Sequence, residues 1–320
     1  MGVHEMSWSI PLNRSAVDIF TKAFENVSRV LVLGGTGWFG RTALGMLANM
    51  DVKTHIVASC SREFSVNGVP LKAKNWDQLE IARFEPEIVL DFAYLTVGKA
   101  EELGIDRFIQ VNRELSEKLF FAARLPSVRS VLSVSSGASV RLPLAMKGQP
   151  AAEAYARGKQ NIAAQLERIA VEREISVRVA RAWSVTGGHV QRPREYALSG
   201  MVLDGLEHGL ISVHADYLVH RRYLAVEDLL ALAVAHSHVI GLTFVDSGGP
   251  LIELRALAQL ISTALPGTRV LAKKEPRRML QDDSYFADEA VLKSQTASSE
   301  LDPLDLGAQI RNVIVSLQSR

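Results

Sequence analysis

Cysteine is almost missing from this chain: of 320 residues, Cys60 alone is a cysteine. A lone thiol forms no intrachain disulfide and suits a reducing compartment, so the cytoplasm is the expected location. A charge excess is missing too, with 36 basic residues against 35 acidic and a formal net charge of +1. No long basic run occurs, which argues against nucleic acid or a membrane surface as partner. No run of about 18 apolar residues occurs, so no membrane-spanning helix is expected. Residues Met1 to Leu12 contain Glu5 and no basic segment ahead of an apolar one, so no secretory signal is expected either. No metal site is expected. What is present is an apolar content of 48%, enough for one large α/β domain or one domain with a smaller lobe.

The pass along the chain begins with a helix. Ser15 reads as its N-cap with Asp18 three residues on, close to a capping box. Val17, Phe20, Phe24 and Val27 then form one apolar face. Beyond it, β-branched runs at Val30–Leu33, His55–Ala58, Ile88–Phe92, Val131–Val134 and Ile175–Val179 alternate with helical stretches at Arg41–Met50, Gln78–Arg83, Ile105–Ala123 and Glu153–Glu174. Strict alternation with apolar strands predicts an α/β fold, a doubly wound parallel sheet of the Rossmann type covered on both faces. After Gly187 the pattern loosens: residues 188–222 read as loops with short helices, Leu242–Val245 as a late strand, Leu251–Leu265 and Pro303–Leu317 as helices. The expected layout is an N-terminal helical appendage (1–28), a dinucleotide-binding domain (29–187) and a smaller C-terminal substrate-binding lobe (188–320), with 223–247 returning to the first domain.

Val30-Leu-Val-Leu33 runs into Gly34-Gly-Thr36-Gly37-Trp38-Phe39-Gly40, and a helix follows. Gly34 permits the tight turn, Gly37 lets backbone approach a pyrophosphate, and Gly40 lets the helix pack on the strand. The helix N-terminus then offers unpaired N–H groups and its positive dipole end to the phosphates. An NAD site calls for a carboxylate about 20 residues past such a turn. Here the second strand ends in Ser59-Cys-Ser61-Arg62, two hydroxyls and a guanidinium that suit a 2′-phosphate, with Arg41 nearby. The expected cofactor is NADP, with NAD second.

Tyr155 and Lys159 stand four apart on a helix and so share a face. A phenol with a pKa of about 10 is a poor proton-transfer group at neutral pH, and a neighbouring ammonium favours its ionised form. Spacing alone leaves surface decoration as the alternative.

The order of these segments resembles the extended short-chain dehydrogenase/reductase family, the NAD-dependent epimerase/dehydratase group, over roughly residues 29–320. The likeness rests on the glycine turn, Leu90-Asp-Phe-Ala93, Ser133-Val-Ser-Ser136, Tyr155 with Lys159, and Arg181-Ala-Trp-Ser-Val-Thr-Gly187. In the C-terminal lobe, Arg221-Arg-Tyr-Leu-Ala-Val-Glu-Asp228 resembles the family's arginine, strand and aspartate-capped helix. The resemblance implies that Tyr155 is the general acid–base group, that Lys159 holds the nicotinamide ribose and lowers the phenol's pKa, and that Ala93 lines the cofactor. It implies a serine hydroxyl on the substrate oxygen. Counting back from the family's Tyr-Gly, now Arg141-Leu142, places that hydroxyl on Gly137; Ser136 is chosen, with Ser135 and Ser139 open. Asn112 resembles the family's asparagine behind the sheet, with a direct role or backbone capping both open. Arg221 would bind a substrate diphosphate. Two departures stand out. The family's sugar 4,6-dehydratases carry Thr-Asp-Glu after the fifth strand where this chain has Ser-Gly-Ala, which argues against dehydratase chemistry. The family's adenine-binding aspartate has no clear counterpart, with Asn75 or Asp77 serving there or capping the next helix.

The resemblance implies an NADP-dependent oxidoreductase that reduces a small-molecule substrate, a keto-sugar nucleotide, as a homodimer through Ile105–Ala123 and Glu153–Glu174. The alternatives are a nucleotide-sugar epimerase with tightly bound NAD and a non-catalytic NADP-binding sensor or scaffold.

Overall fold

The computed structural model describes residues 10–235, 239–272, 278–297 and 299–319. Helix α1 (Arg14–Phe24) leads into β1 (Arg29–Leu33), α2 (Trp38–Leu47) and β2 (Lys53–Val57). A hairpin, β3 (Arg62–Val66) and β4 (Val69–Ala73), precedes α3 (Gln78–Phe84) and β5 (Ile88–Asp91). Then come α4 (Gly98–Leu103), α5 (Ile105–Ala123), β6 (Ser130–Ser136), α6 (Pro150–Arg173), β7 (Ser176–Ala182) and β8 (Val185–Thr186). The remainder holds α7 (Ala197–His208), β9 (Leu210–Val213), β10 (Tyr217–Arg222), β11 (Leu224–Ala225), α8 (Val226–Val234) and β12 (Gly241–Asp246). It closes with β13 (Leu251–Glu253), α9 (Leu254–Ala264), β14 (Arg269–Ala272), β15 (Arg278–Ser284), α10 (Glu289–Ala297) and α11 (Leu306–Gln318).

Six strands form one parallel sheet in the order β12-β7-β6-β5-β1-β2. The doubly wound sheet expected from the alternation is therefore present. Its strands bury both faces, as period-two geometry requires of a covered sheet. In β1, Val30 and Val32 join a core with Leu44, Ile56 and α8, whereas Leu31 and Leu33 join a core with Leu119, Leu166 and Val179. The chain leaves β1 toward β2 on one side and toward β5 on the other. That reversal opens a crevice at the carboxyl ends of β1 and β5, where open α/β sheets bind ligands. All nine residues of α8 are buried, the acids Glu227 and Asp228 included, so this helix belongs to the interior. Helix α1 packs on it through Ala16, Phe20 and Phe24, the two rings stacked 4.6 Å apart. No helix among the described residues is long and apolar enough to cross a membrane.

Several local expectations are corrected. The N-cap of α1 is Asn13, whose side chain accepts from the Ser15 N–H; Ser15 instead accepts from the Asp302 N–H. Asn13 wins because its amide also donates to Asp228 (2.7 Å) and to the Asp302 carbonyl (2.8 Å), a tertiary hold that spacing does not reveal. Asp228 does not cap its own helix; it accepts from Asn13 and from the Leu304 N–H. Leu251–Glu253 pairs with β10 as a strand before the helix begins. Residues 188–222, read as loops and short helices, also contain β9 and β10. The hairpin β3–β4 had a legible signal, Asn67-Gly68, both with positive φ (49° and 79°), as a two-residue hairpin turn requires.

Glu227, in the first turn of α8, is 2% exposed. Burial pushes its carboxyl up to about 8. A folded-state pKa raised above the usual carboxylate value stabilises the fold at low pH, and that contribution is lost as pH rises through about 8. Thermal melts at pH 6 and pH 9 should therefore show a drop in Tm that Glu227→Gln largely removes. An unchanged drop in the variant would place the pH sensitivity elsewhere.

Candidate active site

At the crevice the backbone comes close enough to dictate glycine. Gly34 has φ +73°, and a Cβ there would lie 2.8 Å from the Phe92 carbonyl and the Ala93 nitrogen. A Cβ on Gly40 would lie 2.5 Å from the Gly34 carbonyl oxygen, so these two glycines bring α2, the turn and the end of β5 together. Gly37 is the N-cap of α2 and supplies no side chain to the first turn. The N–H groups of Trp38, Phe39 and Gly40 are thus available to an external acceptor. A Cβ on Gly37 would stand in that cradle, with the Gly34 carbonyl oxygen alone near it at 3.4 Å. The Trp38 ring turns inward, edge-on to Tyr196 at 4.9 Å, and Phe39 stacks on Phe92 at 6.2 Å.

Two guanidinium groups converge on the same turn. Arg62 donates to the Thr36 hydroxyl. Arg41 donates to the Thr36 carbonyl (3.1 Å) and to the Ser65 carbonyl (2.9 Å), with its guanidinium over the Phe64 ring. Ser59 and Ser61 are exposed beside them, and Ser61 accepts from the Asn75 N–H at 3.1 Å. The end of β2 carries no carboxylate, so the local charge suits an anion. Asp77 is the N-cap of α3 and accepts from the Glu80 N–H, which settles its role as a cap.

Beyond the turn, the ends of β5 and β6 meet α6. Asp91 is 3% exposed and accepts from the Ser133 hydroxyl (2.8 Å) and the Ala93 N–H (3.2 Å). Burial raises its pKa. Lys159 is buried on α6, donates to the Val134 carbonyl at 2.7 Å, and lies 4.0 Å from the centroid of the Tyr94 ring. Burial lowers its pKa to about 8, and Asp91 opposes that shift. Tyr155 packs edge-on against Tyr94 at 5.5 Å. Burial pushes its phenol above the usual value; a hydrogen bond with Ser136 is the influence pulling it down. The ammonium of Lys159 faces Val134, Asp91 and Tyr94, and burial governs the phenol.

Of the serines left open, Ser136 is the one that lowers the Tyr155 pKa, and its hydroxyl lies 3.4 Å from the Tyr285 hydroxyl. Ser139 spends its hydroxyl on the Ser136 carbonyl at 2.7 Å, and Ser135 is buried in the strand. Gly137 packs under Trp183, whose ring would overlap a Cβ at that position, so no hydroxyl can stand there. Asn112 accepts from the Leu95 N–H (2.8 Å) and donates to its carbonyl (3.4 Å), the capping role.

Arg221 lies within β10, ahead of β11, and is held by Asp283: one nitrogen donates to its carboxylate at 2.7 Å, another to its carbonyl at 2.5 Å. Arg222 donates instead to the Gly249 carbonyl at 3.0 Å and reaches Glu289 at 3.5 Å. Asp283 also accepts from the Leu144 N–H at 2.9 Å. Two residues on, the Tyr285 hydroxyl lies 3.4 Å from the Ser136 hydroxyl, and its ring packs on Trp183 at 5.0 Å. Tyr94, Asp91, Asp283 and Tyr285 are site residues that sequence reasoning missed. Tyr94 directly follows the Leu90–Ala93 segment and Asp91 lies within it; Asp283 and Tyr285 carry no local signal. Among the described residues no cluster of three or more His, Cys, Asp or Glu could hold a metal.

The model of the NAD dependent epimerase/dehydratase family matches residues 30–239. Solved structures with a similar fold include a UDP-N-acetylglucosamine 4-epimerase from Methanobrevibacter ruminantium, 18% identical over 92% of this chain and 99% of that one, with a TM-score of 0.73. A UDP-glucose 4-epimerase from Brucella ovis in complex with NAD is 23% identical over 90% and 97%, with a TM-score of 0.67. An NDP-hexosamine 5,6-dehydratase of tunicamycin biosynthesis is 17% identical over 91% and 98%, with a TM-score of 0.68. No curated protein matches the chain.

The Arg221–Asp283 pair is largely out of water, with side chains 15% and 7% exposed. Removing one partner of such a pair leaves a buried charge, at a cost of about 3 kcal/mol, whereas apolar replacement of both is close to neutral. Asp283→Ala should accordingly lower Tm, and adding Arg221→Met should recover most of the loss. Additive losses in the double variant would show that the pair is not the stabilising unit.

Proposed function

The chain belongs to the NAD dependent epimerase/dehydratase family, and from that premise we propose an NADP-dependent oxidoreductase that reduces a keto-sugar nucleotide. The observation that carries this reading is that Tyr155 and Lys159 both pack on the Tyr94 ring, just past the end of β5 where Ala93 abuts Gly34 of the glycine turn. Binding of a nucleotide sugar is supported by the neighbours named for UDP-sugars.

NADPH, when bound, would supply the hydride and leave as NADP. The residues that fit it are Gly34, Thr36, Gly37, Trp38, Phe39 and Gly40 for the pyrophosphate, Ala93 along the wall, and Lys159 for the ribose. Ser59, Ser61 and Arg62 fit a 2′-phosphate, since two guanidinium groups meet at Thr36 and no acid ends β2. Ser136 donates to the substrate's carbonyl oxygen and orients it. Tyr155 delivers the proton that this oxygen needs as the carbonyl becomes an alcohol. Arg221 binds the diphosphate, exchanging Asp283 for it.

The second reading, an epimerase with tightly bound NAD, is favoured by the epimerases among the structural neighbours. The two differ in net chemistry. The reductase consumes NADPH in step with a keto-sugar nucleotide; the epimerase interconverts sugars with no net change in nicotinamide absorbance.

Two variants test the site. Arg62→Ala should weaken NADP by about 10- to 100-fold, the range for losing hydrogen bonds to a charged group, and leave NAD nearly unchanged. An intact NADP/NAD ratio, measured as dissociation constants, would remove Arg62 from the phosphate site. Tyr155→Phe should cut turnover by about 10²–10⁴-fold with little effect on cofactor affinity. A rate above about a tenth of wild type would take Tyr155 out of the proton transfer.

A further inference from the structure

We propose that Tyr94 is a latch on Lys159, and that the nicotinamide ribose enters by displacing its ring; the inference rests on the reading that Lys159 holds that ribose. Tyr94 lies against both members of the catalytic pair: its ring is 4.0 Å from the Lys159 nitrogen and packs edge-on to Tyr155 at 5.5 Å. A buried ammonium over an aromatic face is held electrostatically, and more strongly where water is excluded. Lys159 directs one N–H to the Val134 carbonyl, and the ring covers the ammonium. A ribose hydroxyl and the Tyr94 face therefore compete for the same donors.

The latch is seated by the helix that carries the pair. The Tyr94 hydroxyl reaches over α6 to Gly158, where any Cβ would overlap it. Gly158, between Tyr155 and Lys159 in the chain, is thus the residue that leaves room for the ring. The backbone around Tyr94 is pinned on both sides. Asp91 accepts from the Ala93 N–H, and Asn112 holds the Leu95 N–H and carbonyl. What can turn is the Tyr94 side chain, half-buried and attached at the crevice edge where Ala93 abuts Gly34. A ligand whose binding-competent state must first break an internal contact binds more weakly by the equilibrium constant of that contact.

Dissociation constants for NADPH and NADH, measured by fluorescence on the full chain, test this. Tyr94→Leu keeps apolar volume but removes the π face, and should tighten both cofactors by about 3- to 30-fold, the factor for a desolvated cation–π contact. Tyr94→Phe keeps the ring and should change them by less than about twofold. Gly158→Ala should mimic Tyr94→Leu, and its effect should shrink when Tyr94→Phe removes the hydroxyl it strikes. In wild type, the ε-methylene protons of Lys159 should show an upfield ring-current shift by NMR that saturating NADPH abolishes. Unchanged or weaker binding in a folded Tyr94→Leu variant, or a ring shift that persists in the complex, overturns the latch. Lys159→Met separates the two levels. If it binds NADPH as wild type does, the ribose reading fails and the latch with it; if it binds weakly while Tyr94→Leu does not bind more tightly, the latch fails alone.

Discussion

The catalytic end of the sheet depends on one buried carboxylate. Asp91 takes the Ser133 hydroxyl from the neighbouring strand and the Ala93 N–H from its own turn, and it is the charge that opposes burial of the Lys159 ammonium. An acid and a base buried together each drift toward neutrality, the acid upward and the base downward. Both drifts are present here, and each is resisted by the other's charge. Without Asp91 the lysine's pKa would fall further, weakening the ammonium that grips the aromatic face. The same residue ties β5, β6 and α6 together, so sheet register and lysine charge are set by one group.

What was legible in the sequence was what local pattern can carry. Ile105–Ala123 was bounded correctly because its apolar spacing is helical and Gly104 breaks it. The glycine turn was legible because each glycine answers a local steric demand. The positions of Asp283 and Tyr285 were not, since they meet Arg221 and Ser136 across 62 and 149 residues of chain, with no periodicity to announce it. Spacing placed Lys159 on the face of Tyr155, yet could not show that its nitrogen turns to Val134 and Tyr94. Ser15 and Asn13 are equally good caps by type, and the choice between them was made by Asp228, 215 residues away.

The segment that follows β15 is tied to the end of β6 and the loop after it. Asp283 holds Arg221 and the Leu144 N–H, and Arg141 donates to the Phe286 carbonyl at 3.2 Å. The loop after β6 is therefore fastened to the segment that also brings Tyr285 to Ser136. On the proposed reading this has an electrostatic consequence. An anion reaching Arg221 meets a neutral pair, and the Asp283 carboxylate repels it about as strongly as the guanidinium attracts it. Diphosphate affinity is thus coupled to how readily Asp283 gives way.

The position after Ser136 bears on which chemistry the site can perform. Water elimination needs a second proton-transfer group beside the reacting carbon, and the resembling dehydratases place an aspartate and a glutamate where this chain has Gly137 and Ala138. The Trp183 ring lies where any Gly137 side chain would begin, so an acid is excluded there by packing as well as by sequence. The other proton-bearing group beside Ser136 is the Tyr285 phenol, which burial holds above its usual pKa. A single phenol is not the carboxylate pair that elimination uses. Proton movement at one oxygen, by Tyr155 with Ser136 as its partner, is what the remaining groups support. That favours reduction or epimerisation through a single carbonyl over elimination.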